Sequence, residues 1–178
     1  MDAAVEHFRH LTSTTAHHLG PDHPSTLTAR HNLASWQGRA GDPAGATASF
    51  GTLLEDRVRV LGPDHPDTLT TRHNLAYYQG EAGDLAGAAA AYGTLLQDYL
   101  HLLGPYHPET LATRHNLAYY QGKAGDPAGA ATALSTLLED SVRVLGPDHP
   151  TPSPPGTTSS TWSARRSERG TGTPVRRT

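Results

Sequence analysis

Residues 61–102 read LGPDHPDTLTTRHNLAYYQGEAGDLAGAAAAYGTLLQDYLHL, and closely similar stretches precede and follow them. The hexapeptide LGPDHP begins at Leu19, Leu61 and Leu145, and LGPYHP begins at Leu103, so a spacing of 42 residues never slips. A fixed period of this length marks a tandem array of supersecondary units, which stack because none can bury its apolar side alone.

Within the unit, Pro66 suits the first turn of a helix, where its missing N–H costs nothing, and Asp67 suits the positive end of the helix dipole. Gly80 and Gly83 are read as ending this first helix, and Asp84 as capping a second. The second helix carries Ala88, Tyr92, Leu95, Leu96, Tyr99 and Leu103 at spacings of three and four, and stops at Gly104-Pro105. The start of the chain aligns with the second half of a unit, with Ala4 on Ala88, Phe8 on Tyr92 and Leu11 on Leu95. Seven helices are therefore expected, at about residues 2–18, 25–38, 43–60, 67–80, 85–102, 109–122 and 127–144. The expected units are 1–18 (a second helix only), 19–60, 61–102, 103–144, and a broken fourth unit with its tail over 145–178.

Composition agrees with a thin, elongated core: 35% of residues are hydrophobic, and 18 Gly and 14 Pro occur among 178. The net charge of −3 is uneven, because residues 151–178 hold five Arg and one Glu, leaving about −7 on the rest. An acidic body argues against nucleic acid as the partner of the repeats. With no cysteine, disulfides and thiolate metal sites are excluded. The opening MDAAVEHFRH lacks the basic-then-apolar order of a signal peptide, and no apolar run approaches membrane-spanning length. The expected location is the cytoplasm, with no membrane partner.

After Pro150 the repeat stops, and 19 of the remaining 28 residues are Thr, Ser, Pro or Gly, a composition that predicts disorder. Loss of one base from the proline codon before Asp-Thr-Leu-Thr-Thr-Arg-His-Asn-Leu can convert that repeat sequence into Pro-Thr-Pro-Ser-Pro-Pro-Gly-Thr-Thr-Ser, which is Pro150–Ser159. The tail is accordingly read as a fourth repeat cut by a frameshift.

The run NLAYYQGEAGDLAGAAAAYGTLL, residues 74–96, resembles a tetratricopeptide repeat (TPR), with Leu75-Ala76, Gly83, Ala88, Tyr92 and Leu95 at the family's packing positions. The repeat length and the LGPDHPDTL linker resemble the kinesin-light-chain type, which is also abundant in bacterial signalling proteins. The resemblance covers Met1–Pro150 and departs at Gln79, where the family often has an aromatic residue. It implies an all-α fold, a right-handed α-solenoid of antiparallel helix pairs, whose concave groove is lined by the first helices. It also implies a non-enzymatic scaffold that binds a peptide or protein segment in that groove. The alternative is a truncated sensor fragment of a larger bacterial signalling protein, such as a nucleotide-driven switch or kinase, with no activity of its own.

On the central first helix, Arg72, Leu75, Ala76 and Gln79 share one face, read as packed, while Thr70, His73, Tyr77, Gly80 and Glu81 share the opposite face, read as open. Counterparts on the open face include His31 and Arg39 in the unit before, and His115, Tyr119 and Lys123 in the unit after. Asn32, Asn74 and Asn116 fall at its edge. Amides both donate and accept, so a ladder of them can hold a peptide backbone without reading its sequence. The resemblance implies the same role, and the alternative is that the amides bond only to neighbouring helices. Choice among ligands would then rest on Tyr77, Tyr119 and the changing charges of Arg39, Glu81 and Lys123. Arg30, Arg72 and Arg114 recur on the packed face, and Asp56, Asp98 and Asp140 near the ends of the second helices. A buried guanidinium needs a carboxylate, so one structural ion pair is expected per unit.

The 12 histidines do not form a metal motif. His23 with His31, His65 with His73 and His107 with His115 are eight apart, whereas a helix places zinc ligands three or four apart; the first of each pair is read as a local cap. No metal and no cofactor are expected. Catalytic constellations are missing as well. Gly122-Lys123 is followed by Ala124 and lacks the earlier glycine of a phosphate loop, and the serines cluster in the tail. Trp36, Tyr78 and Tyr120 are read as core. The last second helix is expected to expose Leu134, Leu137 and Leu138 and to promote self-association.

Overall fold

The computed structural model describes residues 2–145. The broken fourth repeat and its frameshift origin concern residues outside those described. Seven helices follow one another: α1 (Asp2–Leu19), α2 (Pro24–Arg39), α3 (Pro43–Leu61), α4 (Pro66–Glu81), α5 (Leu85–Leu103), α6 (Pro108–Lys123) and α7 (Pro127–Leu145).

Two capping devices set the helix starts. His23, His65 and His107 precede the first helices, and the Nδ1 of each accepts the backbone N–H of Ser25, Asp67 and Glu109 at 3.1, 3.1 and 3.2 Å. Each histidine satisfies a donor that the helix cannot. Asp42, Asp84 and Asp126 do the same for the second helices, accepting from Gly45, Gly87 and Gly129 at 2.8, 2.9 and 2.9 Å. Gly62 and Gly104 stop α3 and α5 with φ of 91° and 84°, the left-handed region that a side chain disfavours.

Each helix packs against the next, and α2 also packs on α4. One apolar cluster gathers Leu27, Ala34, Ala46, Phe50 and Leu53 of α2 and α3 with Tyr78 of α4. Its successor gathers Leu69, Ala76, Ala88, Tyr92, Leu95 and Tyr99 of α4 and α5 with Tyr120 of α6. The core is thus a chain of similar clusters, each closed by a tyrosine from the following repeat. Phe50 stacks on Tyr78 with centroids 5.6 Å apart, and Tyr92 on Tyr120 at 5.5 Å. Stacked pairs of this kind add about 1 kcal/mol beyond the area they bury.

Two expectations are corrected. Gly80 does not end α4 but lies inside it, buried, because the ring of Tyr120 occupies the space where its Cβ would stand. Leu137 is not exposed on α7; like Leu53 and Leu95 in the two preceding repeats it faces inward, with 3% exposure. Leu138, at 51%, and Val142, at 44%, are the exposed residues, and Leu134 is half-buried.

Candidate interaction face

Successive first helices are bonded to one another. The hydroxyl of Tyr78 on α4 donates to the Ser35 carbonyl of α2 at 3.0 Å, and that of Tyr120 on α6 to the Tyr77 carbonyl of α4 at 3.3 Å. Tyr78 and Tyr120 are buried, and Trp36, their counterpart on α2, is half-buried. Beside them Tyr77 and Tyr119 are half-exposed, held edge-on to the buried rings at centroid distances of 4.9 and 5.1 Å.

Exposed charges flank these aromatics in the order plus, minus, plus: Arg39, Glu81, Lys123. The Arg39 guanidinium lies 5.4 Å from the centre of the Trp36 ring, and the Lys123 ammonium 5.1 Å from that of Tyr119. A shallow cavity of about 240 Å³ opens here, lined by Arg39, Tyr77, Tyr78 and Glu81 among others. Partial burial, then the nearby Glu81 carboxylate, pushes the Tyr77 hydroxyl above its ordinary pKa. It therefore stays protonated, able to donate as well as accept.

The structure places the histidines and two of the asparagines deeper than the open-face reading did. His31 lies edge-on to Phe50 at 5.2 Å, with Arg57 Nη1 3.4 Å from its Nδ1 and Asn74 Nδ2 3.3 Å from its Nε2. Burial, then Arg57, lowers the His31 pKa to about 4, and burial alone lowers His73 to about 4. His73 rests edge-on against Tyr92 at 5.3 Å, and His115 is also lowered by burial. Asn74 and Asn116 are 6% and 3% exposed. The Asn74 amide meets His31 of α2, which favours the alternative of bonding between helices at that position, and Asn116 is buried while Asn32 is half-exposed.

The structure brings together the three Arg and Asp pairs. Arg30 reaches Asp56 at 2.6 Å, Arg72 reaches Asp98 at 2.5 Å and Arg114 reaches Asp140 at 2.9 Å, all half-buried and each joining the two helices of one repeat. Arg59 adds a second contact to Asp56 at 2.8 Å and also holds Asp22 at 2.6 Å. Hydrogen bonds from Arg59 and Arg30 keep the Asp56 carboxyl below its usual pKa.

Sequence reasoning missed Arg57. It is 4% exposed and donates from Nη1 to the Asp67 carbonyl at 2.8 Å and to Thr71 Oγ1 at 2.7 Å, tying α3 to α4. Its counterparts, Tyr99 and Ser141, are buried too. The column is constant in burial but not in residue type, so periodicity alone could not flag it. Among the described residues no group of three or more His, Cys, Asp or Glu gathers to hold a metal, and no helix is long and apolar enough to cross a membrane.

Comparison with known proteins adds to this geometry. A family pattern described as tetratricopeptide repeat matches residues 26–67, 68–109 and 110–151, with the same 42-residue step. Among solved structures, one described as a Podosopora anserina kinesin light chain with nearly identical TPR-like repeats superposes with a TM-score of 0.73 at 25% identity, over 84% of this chain and 71% of that one. A variant of that protein with one substitution superposes with a TM-score of 0.74 at 25% identity, over 84% and 70%. BtubC (BKLC) from P. vanneervenii superposes with a TM-score of 0.71 at 20% identity, over 86% of this chain and 61% of that one, which shows a shared fold. No curated protein sequence matches significantly. Helices in a 42-residue rhythm, six of the described ones capped by a His or Asp side chain and their first helices cross-bonded, make this chain a member of the tetratricopeptide repeat family, whose fold is a protein-interaction scaffold.

Proposed function

We propose that the chain binds an extended peptide or protein segment along the face formed by α2, α4 and α6. The observation that carries this reading is the bonding of successive first helices through Tyr78 and Tyr120, whereas α3 and α5 share no hydrogen bond among the described residues. A solenoid drawn together on one side curves towards that side, so the first helices line its concave surface. Tyr77 and Tyr119 supply rigid, amphipathic contact area at low entropic cost, as aromatic residues do at interfaces. Arg39, Glu81 and Lys123 set the charge order of the ligand, and Asn32 offers an accessible amide. His31, His73, His115, Asn74 and Asn116 shape the floor on which these residues stand. The same role holds if the repeats are one part of a larger signalling protein: the chain supplies contacts, not chemistry.

Selection of displayed peptides on the full chain tests this. Binders are expected to weaken about tenfold, a loss of roughly 1.4 kcal/mol, on Tyr77→Ala or Tyr119→Ala. Binders that tolerate both changes and lose affinity only on substitutions in α3, α5 or α7 would contradict it.

A further inference from the structure

Arg39, Glu81 and Lys123 are the last residues of α2, α4 and α6, and all three are exposed. Arg and Lys suit the negative end of a helix dipole, whereas a carboxylate there is disfavoured. Among the described residues Glu81 makes no ion pair, although Asp22, Asp56, Asp98 and Asp140 each hold an arginine. Its field reaches Tyr77 and Lys123, but no bond fixes it. Neither the dipole nor the local contacts give a reason for a negative charge in the middle of this row.

The two cations are held differently. Arg39 lies over Trp36 and Lys123 over Tyr119, each on a ring of its own helix. Contact with a ring face positions a cation and leaves N–H donors free for a carboxylate. A cavity of about 240 Å³ lies between Arg39 and Glu81, so a ligand can reach both. The Tyr78 and Tyr120 hydroxyl bonds tie both steps of the row close to its charged ends. Packed helices lie about 8–10 Å apart and an extended chain rises about 3.3 Å per residue, so one step spans about three ligand residues.

Charge separates the occupants this row could take. A polyanion, whether nucleic acid or an anionic lipid surface, would meet Glu81 at the centre. A second copy docked face to face about a two-fold axis would set Glu81 on Glu81 and Arg39 on Lys123. Residues 151–178 contain one acid, Glu168, where two are needed. A separate peptide segment of alternating charge meets none of these objections.

We propose that the ligand is a segment of the pattern acid-X-X-base-X-X-acid, its acids on Arg39 and Lys123 and its base on Glu81. The proposal rests on the reading that ligands lie along α2, α4 and α6. The pattern is the same from either end, so it holds for both chain directions. Exposed pairs add little affinity each, but the opposite charge order is penalised at three places, which is how charge selects partners.

Two displayed peptide libraries, screened on the full chain, test this. One is fixed as Glu-X-X-Lys-X-X-Glu and the other as Lys-X-X-Glu-X-X-Lys, with all other positions random. The best binders of the first are expected to be about tenfold tighter than those of the second, a gap that closes in about 1 M salt. Replacing the central Lys of a selected peptide by Glu should weaken binding to the wild type and strengthen binding to Glu81→Lys. Equal binders from both libraries, still lost on Tyr77→Ala, would overturn the charge pattern and leave the first-helix reading intact. A central-Lys preference that survives Glu81→Lys would do the same. If binders from neither library depend on Tyr77 or Tyr119, the first-helix reading falls, and the pattern with it.

Discussion

A β-carbon on Gly38 would stand 2.0 Å from Cε1 of Tyr78, so the glycine is the socket into which the next repeat inserts its closing tyrosine. Gly80 receives Tyr120 in the same way, at 2.1 Å. The Tyr78 ring cannot retreat, because it is stacked on Phe50 and its hydroxyl is bonded to Ser35. Gly38→Ala and Gly80→Ala are each expected to destabilise the protein by about 2–3 kcal/mol, the cost of overpacking. Gly51, in the interior of α3, has nothing within 4 Å of its added Cβ. Gly51→Ala should instead stabilise by about 0.5–1 kcal/mol through helix propensity. Urea denaturation of the three variants checks the contrast.

This pairing also marks what the sequence could reveal. The period, the alternation of helices and their bounds to within about two residues were legible, because they rest on local signals: Pro at the first turn, Asp before the second helix, Gly in the linker. The expected helix 67–80 is Pro66–Glu81, and 109–122 is Pro108–Lys123. What a residue meets across the boundary between repeats was not legible. Gly80 looked like a helix stop and is a socket, since its partner Tyr120 lies one repeat further on. Asn74 looked exposed on a helical wheel, but the wheel omits the neighbouring α2, whose His31 meets it. Arg57 left no periodic trace because the repeats fill that buried position with Arg, Tyr and Ser in turn.

The Arg72 and Asp98 pair holds α4 to α5 at 2.5 Å, with 27% and 28% of the two side chains exposed. Such a half-buried pair keeps only part of its Coulomb energy after desolvation and screening. Arg72→Leu alone should cost about 1–3 kcal/mol, because it leaves a carboxylate unpaired. A double-mutant cycle with Asp98→Leu should show a coupling of about 1 kcal/mol. A single variant as stable as the wild type would remove the ion pair from the account.

Stability should fall as the solution is acidified from pH 6.5 towards 4. His31 and His73 have folded pKa values of about 4, lowered from 6.5 first by burial. The unfolded chain therefore takes up their protons at higher pH than the folded chain, so the contribution is complete above 6.5 and is lost on the way down to 4. His73→Gln removes one such group, and its melting temperature should change less over that window than the wild type's. The expected difference is about 2 kcal/mol, allowing for partial exposure. Parallel melting curves for the two proteins would contradict the assignment.

The claim that matters most is that ligands lie along the first helices. Its most direct test is a map of backbone amide shifts in the full chain on titration with a display-selected peptide. The account predicts that the largest shifts fall at residues 35–39, 77–81 and 119–123, together in one titration, because one extended ligand crosses three repeats. Shifts confined to α7, or to the outer sides of α3 and α5, would contradict it.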